Sequence, residues 1–301
     1  AIYDAGAGIG APPSVPPERQ GFNDLILDPD GVVRRHLLYT YQGEQEYYSL
    51  SLRLALAYLA PMGYGMRRSP EALMIGKTRL PALGKNSGGY QNLDAAGYQM
   101  LLTERIGANI DHLPISLILE GAIPPELVRD RLVLIGSTAP SLKDYFRTPQ
   151  KNQIRVNKTN DLAAGVDIHA QQTNQILNLV LQETKPLGFW LEWQEWLWIL
   201  GWGMVGAIIV RSVKNLSLLI ALEILAGGVL TGATFLLFQN FIWIPLISPL
   251  LGLYLSSVVV LAHKLIDTSF VDSLTGLPNR QQFCFHLRFA IRQANQLAES
   301  R

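Results

Sequence analysis

The apolar block from Trp196 to His263 constrains this chain more than any other stretch. Between Leu216 and Phe238 only Glu223 carries a charge. As a helix rising about 1.5 Å per residue, that run spans roughly 34 Å, enough to cross a hydrocarbon core of about 30 Å with slight tilt. Phe241 to Ala262 is uncharged, with Pro245 and Pro249 near its start. Trp196 to Val210 is shorter, but Trp190, Trp193, Trp196, Trp198 and Trp202 load its leading end with the aromatics that anchor helices at a membrane interface. Three such runs are rare in soluble domains, so they predict three transmembrane helices, at about 194–210, 216–238 and 241–263.

The flanks of the block predict its orientation. Arg211 and Lys214 separate the first two runs, Gln239-Asn240 the second and third, and His263-Lys264 follow the third. Glu192 and Glu195 stand at the start of the first. The positive-inside rule places Arg211, Lys214, Lys264 and everything after them in the cytoplasm, and residues 1–190 outside. An odd number of crossings leaves the two soluble ends on opposite faces, the geometry of a receptor. Within the block, Gly228/Gly232 and Gly203/Ala207 are small-xxx-small pairs that allow close helix contact. Glu223, the one intramembrane acid, is read as an interhelical hydrogen-bonding group.

Residues 1–190 hold 18 basic and 18 acidic residues, so no field favours nucleic acid or anionic lipid. The single cysteine, Cys284, lies beyond the membrane block, which excludes a disulfide framework or a multi-cysteine metal site. The opening residues AIYDAGAGIGAPPSVPPERQ carry no export signal, so the natural chain is expected to start further upstream.

Residues 5–20 read as an irregular lead-in. Phe22 to Leu27 and Val32 to Tyr41 read as strands around the turn Asp28-Pro29-Asp30-Gly31, which lacks the further oxygen ligands and bidentate Glu of a calcium loop. Tyr48 to Leu59 shows helical periodicity. Leu73 to Leu80 and Tyr98 to Leu102 read as strands, and Lys85 to Gly89 as a loop. Pro124-Pro125-Glu126 reads as the opening of a helix. A last amphipathic helix runs from Gly165 through Ile176 to Leu181.

The stretch RLVLIGSTAPSLKDYFRTP, residues 131–149, is the most informative outside the membrane block. Leu132 to Ile135 reads as a strand buried on both faces, followed by a turn of small residues. Ligands of open α/β sheets sit beyond the carboxyl ends of such strands. That makes Ser137, Thr138, Lys143, Asp144, Arg147 and Thr148 candidate ligand contacts, with His169 a further candidate on the following helix. A nucleophile at Ser137 or Ser141 lacks the G-x-S-x-G elbow, and His169 has no second His or Cys at metal-ligand spacing. No catalytic residue and no metal ligand is therefore assigned.

Three of these stretches carry a resemblance: FNDLILDPDGVVRRHLLY (22–39), RLVLIGSTAPSLKDYFRTP (131–149) and GVDIHAQ (165–171). Together they resemble the type-two CHASE sensor family, the cyclase/histidine-kinase-associated sensory extracellular domain. Gln171 departs from the family, which often shows Asn there. The resemblance implies a bacterial inner-membrane receptor whose sensor is typically followed by three membrane helices. DSLTGLPNR, residues 272–280, resembles the start of a GGDEF (diguanylate cyclase) domain, in which Asp272, Leu274, Thr275, Gly276, Asn279 and Arg280 would couple the upstream helix to the catalytic unit. The metal- and substrate-binding residues of that family lie further along, so Mg2+ and GTP are expected for an output domain beyond Arg301 and not for this chain.

The expected architecture is an α/β sensor domain, a mixed sheet with flanking helices, over residues 1–190. Three transmembrane α-helices over 191–263, a signalling linker over 264–271 and a short helical cytoplasmic stub over 272–301 complete it. The expected role is a homodimeric receptor for a small-molecule or envelope stimulus, controlling cyclic di-GMP synthesis. The alternatives are the receptor half of a histidine kinase or other cyclase, and an extracytoplasmic binding module without enzymatic output.

Overall fold

The computed structural model describes residues 2–3, 12–69, 72–103, 110–149, 162–269, 283–284 and 287–291. The chain divides into two compact units, Ala1–Phe189 and Trp190–Arg301. DSLTGLPNR lies outside the described residues.

The first unit is mixed α/β, built from small separate sheets in place of the single mixed sheet expected. Its short first strands, β1 (Ile2–Tyr3) and β2 (Gly21–Phe22), pair in parallel. The Asp28–Gly31 turn forms as expected: the Gly31 N–H donates to the Asp28 carbonyl at 2.8 Å, with Gly31 at φ +77°. Asp28 is buried and accepts hydrogen bonds from Arg34 (3.0 Å), Arg35 (2.7 Å) and the Tyr90 hydroxyl (2.9 Å). Asp30 takes Arg34 at 2.7 Å, so both acids of the turn are held by guanidinium groups. Of the strand expected over Phe22–Leu27 only Phe22 is laddered, together with Gly21 as β2. Beyond it, the Asn23 and Leu27 carbonyls are satisfied by the side chains of His169 and Arg35 instead of a neighbouring strand.

β3 (Arg35–Gln42) pairs antiparallel with β4 (Gln45–Tyr48) on one side and with β8 (Tyr98–Leu101) on the other. Helix α1 (Leu50–Leu59) starts at Ser49, whose hydroxyl accepts from the Leu52 N–H at 3.2 Å. A three-stranded antiparallel meander follows, β5 (Met66–Arg68), β6 (Leu73–Ile75) and β7 (Thr78–Leu80). The single strand expected over Leu73–Leu80 is thus two, because Gly76 at φ +61° folds it back on itself. The last pair, β9 (Tyr145–Arg147) and β10 (Leu162–Ala164), is antiparallel and runs directly into helix α3 (Gly165–Leu181). Leu52, Ala55 and Leu59 put one face of α1 against Ile176, Leu179 and Val180 of α3, and Leu38, Leu73, Ile75, Leu80 and Met100 close this core from the strands.

Two further expectations fail between β8 and β9. The helix expected at Pro124 is a single 3-10 turn, Pro125–Leu127, and Asp130 at φ +58° takes the chain out of helical geometry. Helix α2 is instead Ile115–Leu119, stopped by Gly121 at φ +68°. Leu132–Ile135 is not a strand buried on both faces: among the described residues no strand pairs with it, and Ile135 is 74% exposed. The reason lies at Gly136, where a Cβ would come within 2.6 Å of Val166. The segment lies against α3, with Leu132 and Leu134 half-buried and Val133 and Ile135 turned outward.

The second unit contains α4 (Glu192–Ser212), α5 (Leu216–Gln239) and α6 (Ile247–Ser269). The third apolar run begins its helix at Ile247 and not at Phe241, because Pro245 cannot join a helix interior while Pro249 is accommodated in the first turn. α5, and α6 over Ile247–Ile266, are long and apolar enough to cross a membrane. α4 is not one of these two. Its first turn carries Glu192 and Glu195 and its leading half four tryptophans.

α4 and α6 run parallel and in close contact. Gly203 faces Gly252, Gly206 lies against the Leu253 backbone, and the Ser256 hydroxyl donates to the Gly203 carbonyl at 2.7 Å. At the far end the Lys264 ammonium donates to the carbonyls of Val210 (3.2 Å) and Val213 (3.1 Å). α5 runs the opposite way, with Glu223 accepting from Ser257 at 2.7 Å and Gly227 against Tyr254. Gly203 of the small pair Gly203/Ala207 thus sits where α4 meets α6, whereas a Cβ added at Gly228 or Gly232 would meet nothing within 4 Å.

Candidate ligand-binding site

Helix α3 turns one stripe to the core and another to a groove. Asp167, Ala170, Asn174, Leu177 and Asn178 recur at three- and four-residue spacing and line the second stripe. The opposite wall is α2 together with the extended run Arg131–Ala139, which supplies Ile118, Leu132 and Leu134. The groove has a volume of about 1480 Å³ and is open to solvent along its length, with apolar and polar side chains both lining it.

Among the described residues its ionisable groups are few. Arg131 is engaged with Asp111 at 2.9 Å. Asp167 is buried, and burial holds its carboxyl above the usual carboxylate range, an effect that nearby His112 partly offsets. The His112 ring nitrogen stands 3.7 Å from the carboxylate, an ion-pair contact too long for a hydrogen bond.

The residues singled out from the sequence fall into three places. Ser137 and Thr138 lie on the groove wall: the Ser137 hydroxyl accepts from the Ala139 N–H at 3.2 Å, and the Thr138 carbonyl from the Tyr145 hydroxyl at 2.5 Å. Lys143, Asp144, Arg147 and Thr148 do not line it. Lys143 closes a 3-10 turn at φ +55°, and the Arg147 carbonyl accepts from the Val33 N–H at 2.9 Å within the strand layer. Asp144 sits at the start of α3, where its carbonyl accepts from the Gly165 N–H at 3.1 Å and its carboxylate lies so near Gly165 that a Cβ there would approach within 2.5 Å. A carboxylate in this position stabilises the positive end of the helix dipole. Thr148 is buried.

His169 is in the core. Its Nε2 donates to the Asn23 carbonyl at 3.1 Å, and burial lowers its pKa. Nearby His36 is wholly buried and hydrogen-bonded to Ser51 at 2.7 Å, with its pKa lowered to about 3 by burial and by the proximity of His169. The Ser51 hydroxyl in turn donates to Gln172 at 3.3 Å, which ties β3, α1 and α3 together through polar groups.

The sequence reading missed Asp167, Asn174 and Asn178. Their signal was present as a polar stripe at helical spacing through GVDIHAQQTNQILN, beside the apolar one. The coupling residues Asp272, Leu274, Thr275, Gly276, Asn279 and Arg280 lie outside the described residues.

The CHASE2 domain family model matches residues 4–208. No curated protein and no solved structure matches the chain.

Proposed function

The chain belongs to the CHASE2 domain family, the extracellular sensor domains of receptors, and we propose that it is the receptor half of a bacterial inner-membrane signalling protein with an outer sensor, three crossings and a cytoplasmic output. One observation carries the three crossings. α4 and α6 run parallel and α5 antiparallel to them, and Lys264 reaches the end of α4 where Arg211 and Lys214 stand. Three basic residues therefore gather at one end of the helical block, the end that the positive-inside rule assigns to the cytoplasm. At 21 residues α4 is about 32 Å long, sufficient to span despite its lower hydropathy.

The output is a diguanylate cyclase on this reading, supported by the DSLTGLPNR stretch and working as a homodimer; Mg2+ and GTP belong to that output domain. The stimulus binds the groove beside α3, where Ser137 and Thr138 remain contact candidates. α3 ends at Leu181, only ten residues before α4 begins, so a ligand that favours one placement of α3 over another acts close in sequence to the membrane helices. Transmission requires such unequal binding to two states. The test is to join residues 1–271 in frame to an active diguanylate cyclase domain and introduce Ala170→Trp, which fills the groove. A change in cyclic di-GMP of about threefold or more, at equal membrane abundance, is expected, since coupling energies run to 1–3 kcal/mol. Unchanged output would remove the groove from the signalling path.

A further inference from the structure

We propose that the groove beside α3 takes an amphipathic organic ammonium compound, its charged nitrogen at Asp167 and its apolar body along Ile118, Leu132, Leu134 and Leu177. This rests on the sensor reading above and names the chemical class of the stimulus.

Charge selects the class. Among the described residues that line the groove, Arg131 is already engaged with Asp111, which leaves Asp167 as the charge without a hydrogen-bonded counter-ion. The Asp167 side chain is 11% exposed. A carboxylate removed from water to that degree gains from a donor that also carries positive charge, because charge-assisted hydrogen bonds exceed neutral ones in strength and the low dielectric of the wall magnifies the attraction. An anionic ligand meets the reverse. Among the described residues of the groove wall the basic groups are Arg131, paired with Asp111, and His112, which stands beside Asp167, and the positive end of α3 already has Asp144 against Gly165. A metal ion is also disfavoured, because no group of three His, Cys, Asp or Glu side chains assembles among the described residues.

Shape selects the rest of the ligand. Asp167 stands at the first turn of α3, and the stripe runs from it through Ala170 and Asn174 to Leu177, some 15 Å at about 1.5 Å per residue. A small methylammonium would leave that length empty. An alkyl or aryl chain several carbons long covers Leu132 and Leu134, which are half-buried and, among the described residues, have no strand partner. Asn174 and Asn178 provide hydrogen-bonding positions further along for a ligand with a second polar group.

Isothermal titration of the full chain in lipid nanodiscs tests this with n-hexylammonium, n-hexanol and n-hexanoate, each corrected for empty nanodiscs. The expected order is ammonium tighter than alcohol by about tenfold or more, with no saturable binding of the carboxylate. Asp167→Asn should bring ammonium and alcohol to equal affinity. The three-ligand comparison needs no variant, so a folding defect in D167N leaves the test intact. Equal affinities for ammonium and alcohol on the native chain, tighter binding of hexanoate, or no saturable binding would each overturn the proposal. If the ammonium class fails while Ala170→Trp still alters cyclase output, the sensor reading survives without it; if both fail, the groove is not the sensing site.

Discussion

His36 and His169 are buried close enough for a charge on one to oppose a charge on the other, and both are held neutral by desolvation. The consequence for stability has a definite sign. A base whose folded pKa lies below its unfolded value is protonated first in the unfolded chain, so stability is present above the unfolded value of about 6.5 and is lost as pH falls toward the folded value. With His36 at about 3, its contribution falls by about 2 kcal/mol between pH 7 and pH 5. Thermal melts of the full chain at those two pH values should show the drop, and His36→Gln should flatten it; a profile unchanged by that substitution would place the acid sensitivity elsewhere. From the sequence, His169 was legible as a candidate and His36 was not. Nothing in RRHLLY marks a histidine that tertiary packing sets against Ser51 of a different element. Asp28 and Asp30 were legible as turn residues, while their ion pairs with Arg34 and Arg35 depend on where β3 starts after the turn.

Elements with a long, regular pattern could be read directly. α1 and α3 follow the helical period over ten residues or more, α5 is an unbroken apolar run, and the Asp28–Gly31 turn carries its own local chemistry. Short elements were read less well because one residue decides them. Gly76 splits one strand into β6 and β7, and Asp130 ends a helix that Pro124-Pro125-Glu126 suggested. Leu132–Ile135 has the composition of a central strand, yet Gly136 seats it on Val166 of α3, a contact no local pattern specifies. In the helical block the same logic separates two kinds of glycine. Gly206 lies against the Leu253 backbone where α4 crosses α6, whereas Gly228 has open space. Gly206→Val should therefore destabilise the block by about 2 kcal/mol or more through overpacking against backbone that cannot move aside. Gly228→Val should leave its stability within about 0.5 kcal/mol. Thermal melting in detergent distinguishes them, and equal effects would mean the α4–α6 crossing is not the close contact that holds the block together.

At the scale of the whole molecule, the CHASE2 match over residues 4–208 reaches from the sensor unit into α4, so the family model includes most of the helix proposed as the first crossing. The apolar block was legible from its length and lack of charge, and two of its helices, α5 and α6, are long and apolar enough to cross a membrane. Which side each end occupies rests on Arg211, Lys214 and Lys264. The receptor account stands on that assignment, because a stimulus outside can govern an output inside only if an odd number of helices crosses. Its most direct test uses single cysteines at Ser141 and Ser212, each in a Cys284→Ser background, in intact cells exposed to a membrane-impermeant thiol reagent. The account predicts labelling of Ser141→Cys alone, with Ser212→Cys reacting only after the membrane is opened; labelling of Ser212→Cys in intact cells would contradict it.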